Sequence, residues 1–95
     1  MEFVWRPFED SLGNSSQIFT HAMYNTYFSP PGLGWDTLDG GDPFVDDPYL
    51  ETFNADYLCN KLSNYLVEMK QSYRTNHLMI PMGADFNYQD AKMDF

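Results

Sequence analysis

Apolar positions along this chain fall into three short clusters and one long periodic stretch. Phe3-Val4-Trp5 is a β-rich triplet stopped by Pro7, and it predicts a short strand. Ile18 to Met23 predicts a second strand. Leu58, Leu62, Tyr65, Leu66, Met69 and Tyr73 recur at the spacing of one helical face, with Lys61, Asn64, Glu68 and Gln71 mostly on the other. Asn54 stands where it can cap the first N–H groups, and Asp56 lies in the positive first turn. The expectation is an amphipathic helix covering a sheet. Leu78 to Met82 is a continuous apolar run, predicting a third strand buried on both faces. Pro81 has no N–H to donate, which is tolerable near a strand's end, and Gly83 lets the backbone turn there. Strand, long loop, helix, strand is the connection of a parallel α/β sheet. Gln89 onward can open a further helix.

The intervening segments are of two kinds. Glu9 to Gln17 is polar and turn-rich, and Asn14-Ser15-Ser16 matches the glycosylation acceptor pattern. Residues 24–53 show no sustained period and contain Pro30-Pro31-Gly32, Gly34, Gly40-Gly41, Pro43 and Pro48. A loop of roughly thirty residues is unusual in a small domain, and such loops often carry function. Tyr24, Tyr27, Phe28 and Trp35 give it rings, either to present to a ligand or to pack the loop down. Asp42, Asp46 and Asp47 lack the regular spacing of a calcium loop and read as a solvated run ended by Pro48.

Composition narrows the classes. Ninety-five residues make one small domain, which buries a limited fraction of its surface. The aromatic share is 18%, from seven Tyr, eight Phe and two Trp. That excess fits a carbohydrate site, where sugar C–H faces stack on rings, and fits equally a piece cut from a larger core. A net charge of −9 argues against nucleic acid and against anionic membranes as partners. Cys59 is the one cysteine, so no intrachain disulfide is possible. Met1 leads into Glu2 and Trp5-Arg6, not into a basic start and an apolar run, so no signal peptide is expected. No apolar stretch approaches the roughly eighteen residues of a membrane span.

Candidate chemistry gathers at the end of the chain. Asp85 follows the apolar run after only Gly83 and Ala84, beside Phe86 and near Tyr88. In α/β sheets and barrels, chemistry sits at the carboxyl ends of strands. Asp85 is therefore a candidate acid or base, and an Asx turn or helix cap is the other reading. Arg6, at the end of the first strand, is a carboxylate or sugar clamp or a surface ion pair, the latter being commoner. His21 and His77 are read as hydrogen-bonded structural residues, because no second ligand stands at metal spacing.

The stretch Tyr73-Arg-Thr-Asn-His77, the apolar run, and Met82-Gly-Ala-Asp-Phe-Asn-Tyr88 resembles the catalytic domain of glycoside hydrolase family 38, the retaining α-mannosidases. Met1-Glu-Phe-Val-Trp-Arg6, Ile18-Phe-Thr20, Tyr24-Asn-Thr-Tyr27 with Pro30-Pro31, Gly34-Trp-Asp36 and Asp46-Asp-Pro48 extend the resemblance over nearly the whole chain. It looks closest to the lysosomal branch. Golgi-type members carry two adjacent aspartates where this chain has Ala84 and Asp85, and lysosomal members carry a cysteine pair where this chain has Gly34 and Asp39.

The resemblance implies that residues 1–95 are a fragment of a family 38 N-terminal catalytic domain, with Met1 in the place of an internal methionine. The implied fold is part of a parallel α/β barrel. The implied reaction is zinc-dependent hydrolysis of terminal α-linked mannose with retention, in a lysosome or secretory-pathway lumen. By motif position Asp85 is the acid/base and Tyr27 the tyrosine that reaches the sugar, with Phe28 as the rival position. The zinc ligands include a His-x-Asp pair, which this chain lacks, so no residue here is assigned to metal. The implied partners are mannose-containing glycans and the rest of the mannosidase chain. With no neighbouring charge, Asp85 is expected to have its pKa raised by burial against Phe86. Two other functional classes stand beside the enzyme: a carbohydrate-binding remnant without chemistry, and a non-functional piece with open sheet edges.

Overall fold

Residues 1–36 and 43–94 are described by a computed structural model, and Asp39 and Asp42 lie outside the described residues. Strands β1 (Glu2–Trp5) and β2 (Ile18–His21) pair antiparallel, with Glu2 opposite His21 and Trp5 opposite Ile18. Aromatic and β-branched side chains favour the pleated backbone here, and Pro7 ends the first strand. The connection reverses through a short helix α1 (Glu9–Leu12) and one 3₁₀ turn (Gly13–Ser16). Both elements fall within the stretch expected to be turn-rich. Residues 22–36 and 43–54 carry no helix or strand.

Helix α2 (Ala55–Lys70) is the longest element, and a last helix α3 spans Ala91–Asp94. Asn54 occupies the N-cap position of α2 but makes no capping bond. Its amide instead receives a hydrogen bond from Val45 N at 2.8 Å and donates to Pro43 O at 2.9 Å, stitching the preceding loop to the helix start. Asp56 in the first turn and Lys70 in the last complement the helix dipole. The helix stops three residues short of Tyr73, which lies in the turn that follows.

The periodic face identified in the sequence is the face that packs. Leu58, Met69 and Tyr73 are buried, together with Leu33 and Pro30 from the long loop. What α2 covers differs from the expectation of a sheet: its partner is the loop before it, while Tyr73 beyond its end meets the end of β2. Lys61 Nζ donates to Gly32 O at 2.9 Å, and Tyr24 Oη donates to Glu68 Oε1 at 3.2 Å. Just beyond the helix, Tyr73 Oη donates to Ala22 O at 2.8 Å, and the Tyr73 ring stacks on His21 at 4.3 Å. Gly32 has a φ of +71°, a left-handed conformation that favours glycine where the Lys61 ammonium approaches the backbone.

A further expectation fails. Leu78–Met82 forms no strand, and Met79 and Met82 are exposed. An apolar run becomes a strand only when a second strand accepts its hydrogen bonds, and no such partner exists among the described residues. Pro81 removes one of its own donors. A parallel sheet is likewise not seen: the one sheet among the described residues is the antiparallel β1–β2 ribbon.

The Glu2 carboxylate fastens this ribbon to the far side of α2. It accepts from Arg74 N at 3.1 Å, Thr75 N at 3.2 Å and Thr75 Oγ1 at 2.8 Å, and His21 Nδ1 lies 3.4 Å away. The Thr75 hydroxyl, foremost, holds the Glu2 carboxyl below its ordinary 4.5. A depressed folded-state pKa means that the clamp contributes fully above 4.5 and is lost as pH falls through the lower folded value. In the full-length protein, hydrogen exchange of the 73–77 segment, corrected for intrinsic rates, should therefore accelerate on acidification below 4.5. Glu2→Gln should abolish that transition.

The radius of gyration is 18.2 Å, against about 12 Å for a compact chain of this length. Phe3, Val4, Trp5, Ile18 and Phe19 are all exposed on the ribbon, and a two-stranded ribbon is marginal alone. The 95-residue chain in isolation should show no cooperative thermal transition by circular dichroism. A sharp melt of a monomeric sample would contradict this.

Candidate functional site

Tyr27 and Asp85 meet. The Tyr27 hydroxyl donates to Asp85 Oδ2 at 3.2 Å, across 58 residues of chain. The long loop delivers Tyr27 through a tight turn in which Phe28 N donates to Asn25 O at 3.2 Å and Thr26 adopts a φ of +48°. Phe28, the rival position, packs its ring 4.6 Å from that of Tyr27 and leaves the polar contact to Tyr27. The hydrogen bond to Asp85, and then its charge, push the Tyr27 phenol above its ordinary 10.0. Like any phenol at neutral pH, Tyr27 is protonated and acts as a donor.

The pair lies on an open cleft of about 400 Å³ lined by Tyr27, Pro81, Met82, Gly83, Ala84, Asp85 and Tyr88. Gly83 has a φ of +129°, and a Cβ there would stand 2.9 Å from Tyr88 Cε2. The absent side chain lets the Tyr88 ring fold back, where its hydroxyl donates to Met82 O at 2.9 Å. The apolar run thus ends in a closed loop whose rim carries Asp85.

The turn that holds Asp85 is strained. Phe86 and Tyr88 adopt φ values of +65° and +59°, unusual for aromatic residues. Asn87 N donates to Ala84 O at 3.2 Å. From the long loop, Asp36 Oδ2 accepts from Tyr88 N at 2.8 Å and from Asn87 Nδ2 at 2.9 Å. Asp36 is only 1% exposed. In the sequence Asp36 stands within the Gly34-Trp-Asp36 motif with no role of its own. An aspartate beside Trp35 in an aperiodic loop carries no spacing signal that would single it out.

Burial of Asp85 against Phe86 does not occur. Asp85 is exposed and Phe86 is 84% exposed, because the positive φ at Phe86 turns its ring to the surface. Arg6 stays outside the cleft, 3.7 Å from Glu9 as an exposed ion pair. His21 is bonded to Glu2 and stacked on Tyr73, and His77 is exposed. Asp47 Oδ1 accepts from Tyr49 N at 3.0 Å, an Asx turn on an exposed loop. Among the described residues, no three His, Cys, Asp or Glu side chains converge as a metal site, and no helix is long and apolar enough to cross a membrane. A second cleft of about 430 Å³ opens between Tyr24 and the Lys61–Glu68 side of α2.

An exposed carboxylate bonded to a tyrosine at a cleft is an arrangement able to exchange protons with a hydroxylic ligand. Comparison with known proteins gives the chain a family. The chain is 37% identical over 95 residues to lysosomal alpha-mannosidases of Cavia porcellus and Homo sapiens, and 37% identical over 93 residues to that of Dictyostelium discoideum. These alignments cover 98% to 100% of this chain and 9% of each relative, so the chain spans about a tenth of their length. The family model described as the glycosyl hydrolases family 38 N-terminal domain matches residues 1–95, and the chain belongs to that family.

Proposed function

We propose that this chain supplies the acid/base carboxylate, Asp85, and a substrate-contacting hydroxyl, Tyr27, to an α-mannosidase that hydrolyses terminal α-linked mannose with retention. The observation that carries the reading is the bond from Tyr27 to Asp85 on an open cleft. In this reading Asp85 protonates the leaving glycosidic oxygen while a second carboxylate, about 5–5.5 Å from that of Asp85, attacks the anomeric carbon. Asp85 then takes a proton from the water that releases the sugar. Tyr27, protonated at neutral pH as phenols are, orients the carboxylate through its one O–H, which turns to a sugar oxygen when substrate enters.

The second carboxylate belongs to other segments of the full-length protein, as does any zinc. The described residues offer no donor set that fits a zinc ion, and no step here passes through one. The exposed apolar ribbon and the unpaired 78–82 run are features that neighbouring strands of a parallel α/β barrel would cover. The proposed substrates are mannose-containing glycans, and the proposed compartment is the lysosome or a secretory-pathway lumen, in keeping with the names of the relatives. The acidic surface speaks against nucleic acid and anionic membranes as partners.

In the full-length enzyme, Asp85→Asn should lower kcat/KM about 10²- to 10⁴-fold on ordinary aryl mannosides. It should cost far less on a dinitrophenyl mannoside, whose leaving group needs no proton, with an unchanged melting temperature. An equal loss on both substrates would overturn the assignment. Tyr27→Phe, which deletes one hydrogen bond of about 1 kcal/mol, should cost roughly fivefold in the same assay.

A further inference from the structure

The most deeply buried charge among the described residues is Asp36, which cannot meet substrate, being 1% exposed. It reaches the chain 51 and 52 residues later, at Asn87 and Tyr88. Those two residues close the turn that begins at Asp85. The turn holds two aromatic residues at positive φ, an unfavourable conformation that persists only where the surroundings enforce it. A carboxylate accepting a backbone N–H and a side-chain amide, both under 3 Å and shielded from water, is a strong constraint of that kind.

We infer that Asp36 is a positioning residue for Asp85, locking the 85–88 turn so that the Asp85 carboxylate faces Tyr27 across the cleft. The inference rests on the reading of Asp85 as the acid/base. Asp36 belongs to the same loop that delivers Tyr27, so one segment sets both the hydroxyl and the orientation of the carboxylate it bonds. If the lock opens, Phe86 and Tyr88 relax to negative φ, the turn unwinds and Asp85 leaves its place. Misplacement of a reacting group by about 1 Å is enough to cost roughly 10²-fold.

The test uses the full-length enzyme and kcat/KM on an ordinary aryl mannoside and a dinitrophenyl mannoside, with a melting curve for each variant. Asp36→Ala should lose roughly 10- to 100-fold on the ordinary substrate and much less on the activated one. Asp36→Asn, which keeps a carbonyl oxygen to accept the same bonds, should recover most of that loss. If Asp36→Ala does not fold, Asn87→Ala removes one of the two bonds and should reproduce the pattern at smaller amplitude. Combined with Asp85→Asn, Asp36→Ala should add no further loss, because the group it positions is gone. Equal losses on both substrates, unchanged kinetics, or additive losses in the double variant would each overturn the inference. If Asp85→Asn alone fails to discriminate between the substrates, the acid/base reading itself falls. If Asp85→Asn discriminates and the Asp36 and Asn87 variants do not, only the positioning role falls.

Discussion

Glu2 is the point through which the described structure is tied together. An isolated two-stranded ribbon has too little apolar contact to hold its own register, and β1 and β2 expose most of their large side chains. The Glu2 carboxylate gathers two backbone N–H groups and a hydroxyl from Arg74 and Thr75 while facing His21 on the paired strand. One carboxylate thereby joins both strands to the turn after α2. The His21–Tyr73 stack and the Tyr73–Ala22 bond reinforce the same junction. From Thr75 the backbone runs through the apolar 78–82 segment to Asp85, so the location of the site follows from how the ribbon end is held.

The aspartates 36 and 85 divide two tasks by environment. Asp36 is enclosed and bonded to backbone and amide donors, which suits it to holding a strained turn and withholds it from any ligand. Asp85 is exposed at the rim of a cleft with a phenol against it, which suits it to exchange with a ligand. Both contacts span more than fifty residues, and both originate in the long aperiodic loop. That loop is therefore the organising element of the site, not a covering over it. Its attachment to α2 through Lys61, Glu68 and the Asn54 amide explains how a segment without helix or strand can hold a hydroxyl in place.

The extended shape and the exposed ribbon have one physical reading. The buried apolar residues, Leu33, Leu58, Met69, Tyr73 and Pro30, form a thin seam between loop and helix, not a closed core. Phe3, Trp5, Ile18 and Phe19 are side chains of core type left about half exposed. Exposed apolar surfaces of this kind mark places where another surface can pack.

The sequence by itself determined the local elements whose signals are local. Periodicity at Leu58, Leu62, Met69 and Tyr73 marked α2 and its packed face; β-rich runs and Pro7 marked the ribbon strands; several motifs in order along the chain marked membership of the family. Tertiary structure alone decided what these elements touch. Leu78–Met82 has the composition of a strand, but strand pairing is a property of two segments, and no partner stands beside it. Asn54 had the identity of a helix cap, yet Val45 and Pro43 compete for its amide and win. Phe86 next to Asp85 looked like a shield, until a positive φ, which depends on the hydrogen bonds to Asp36, turned it outward. Asp36 itself was illegible, because its role is a contact across 52 residues, and no spacing along a chain encodes a distance through space.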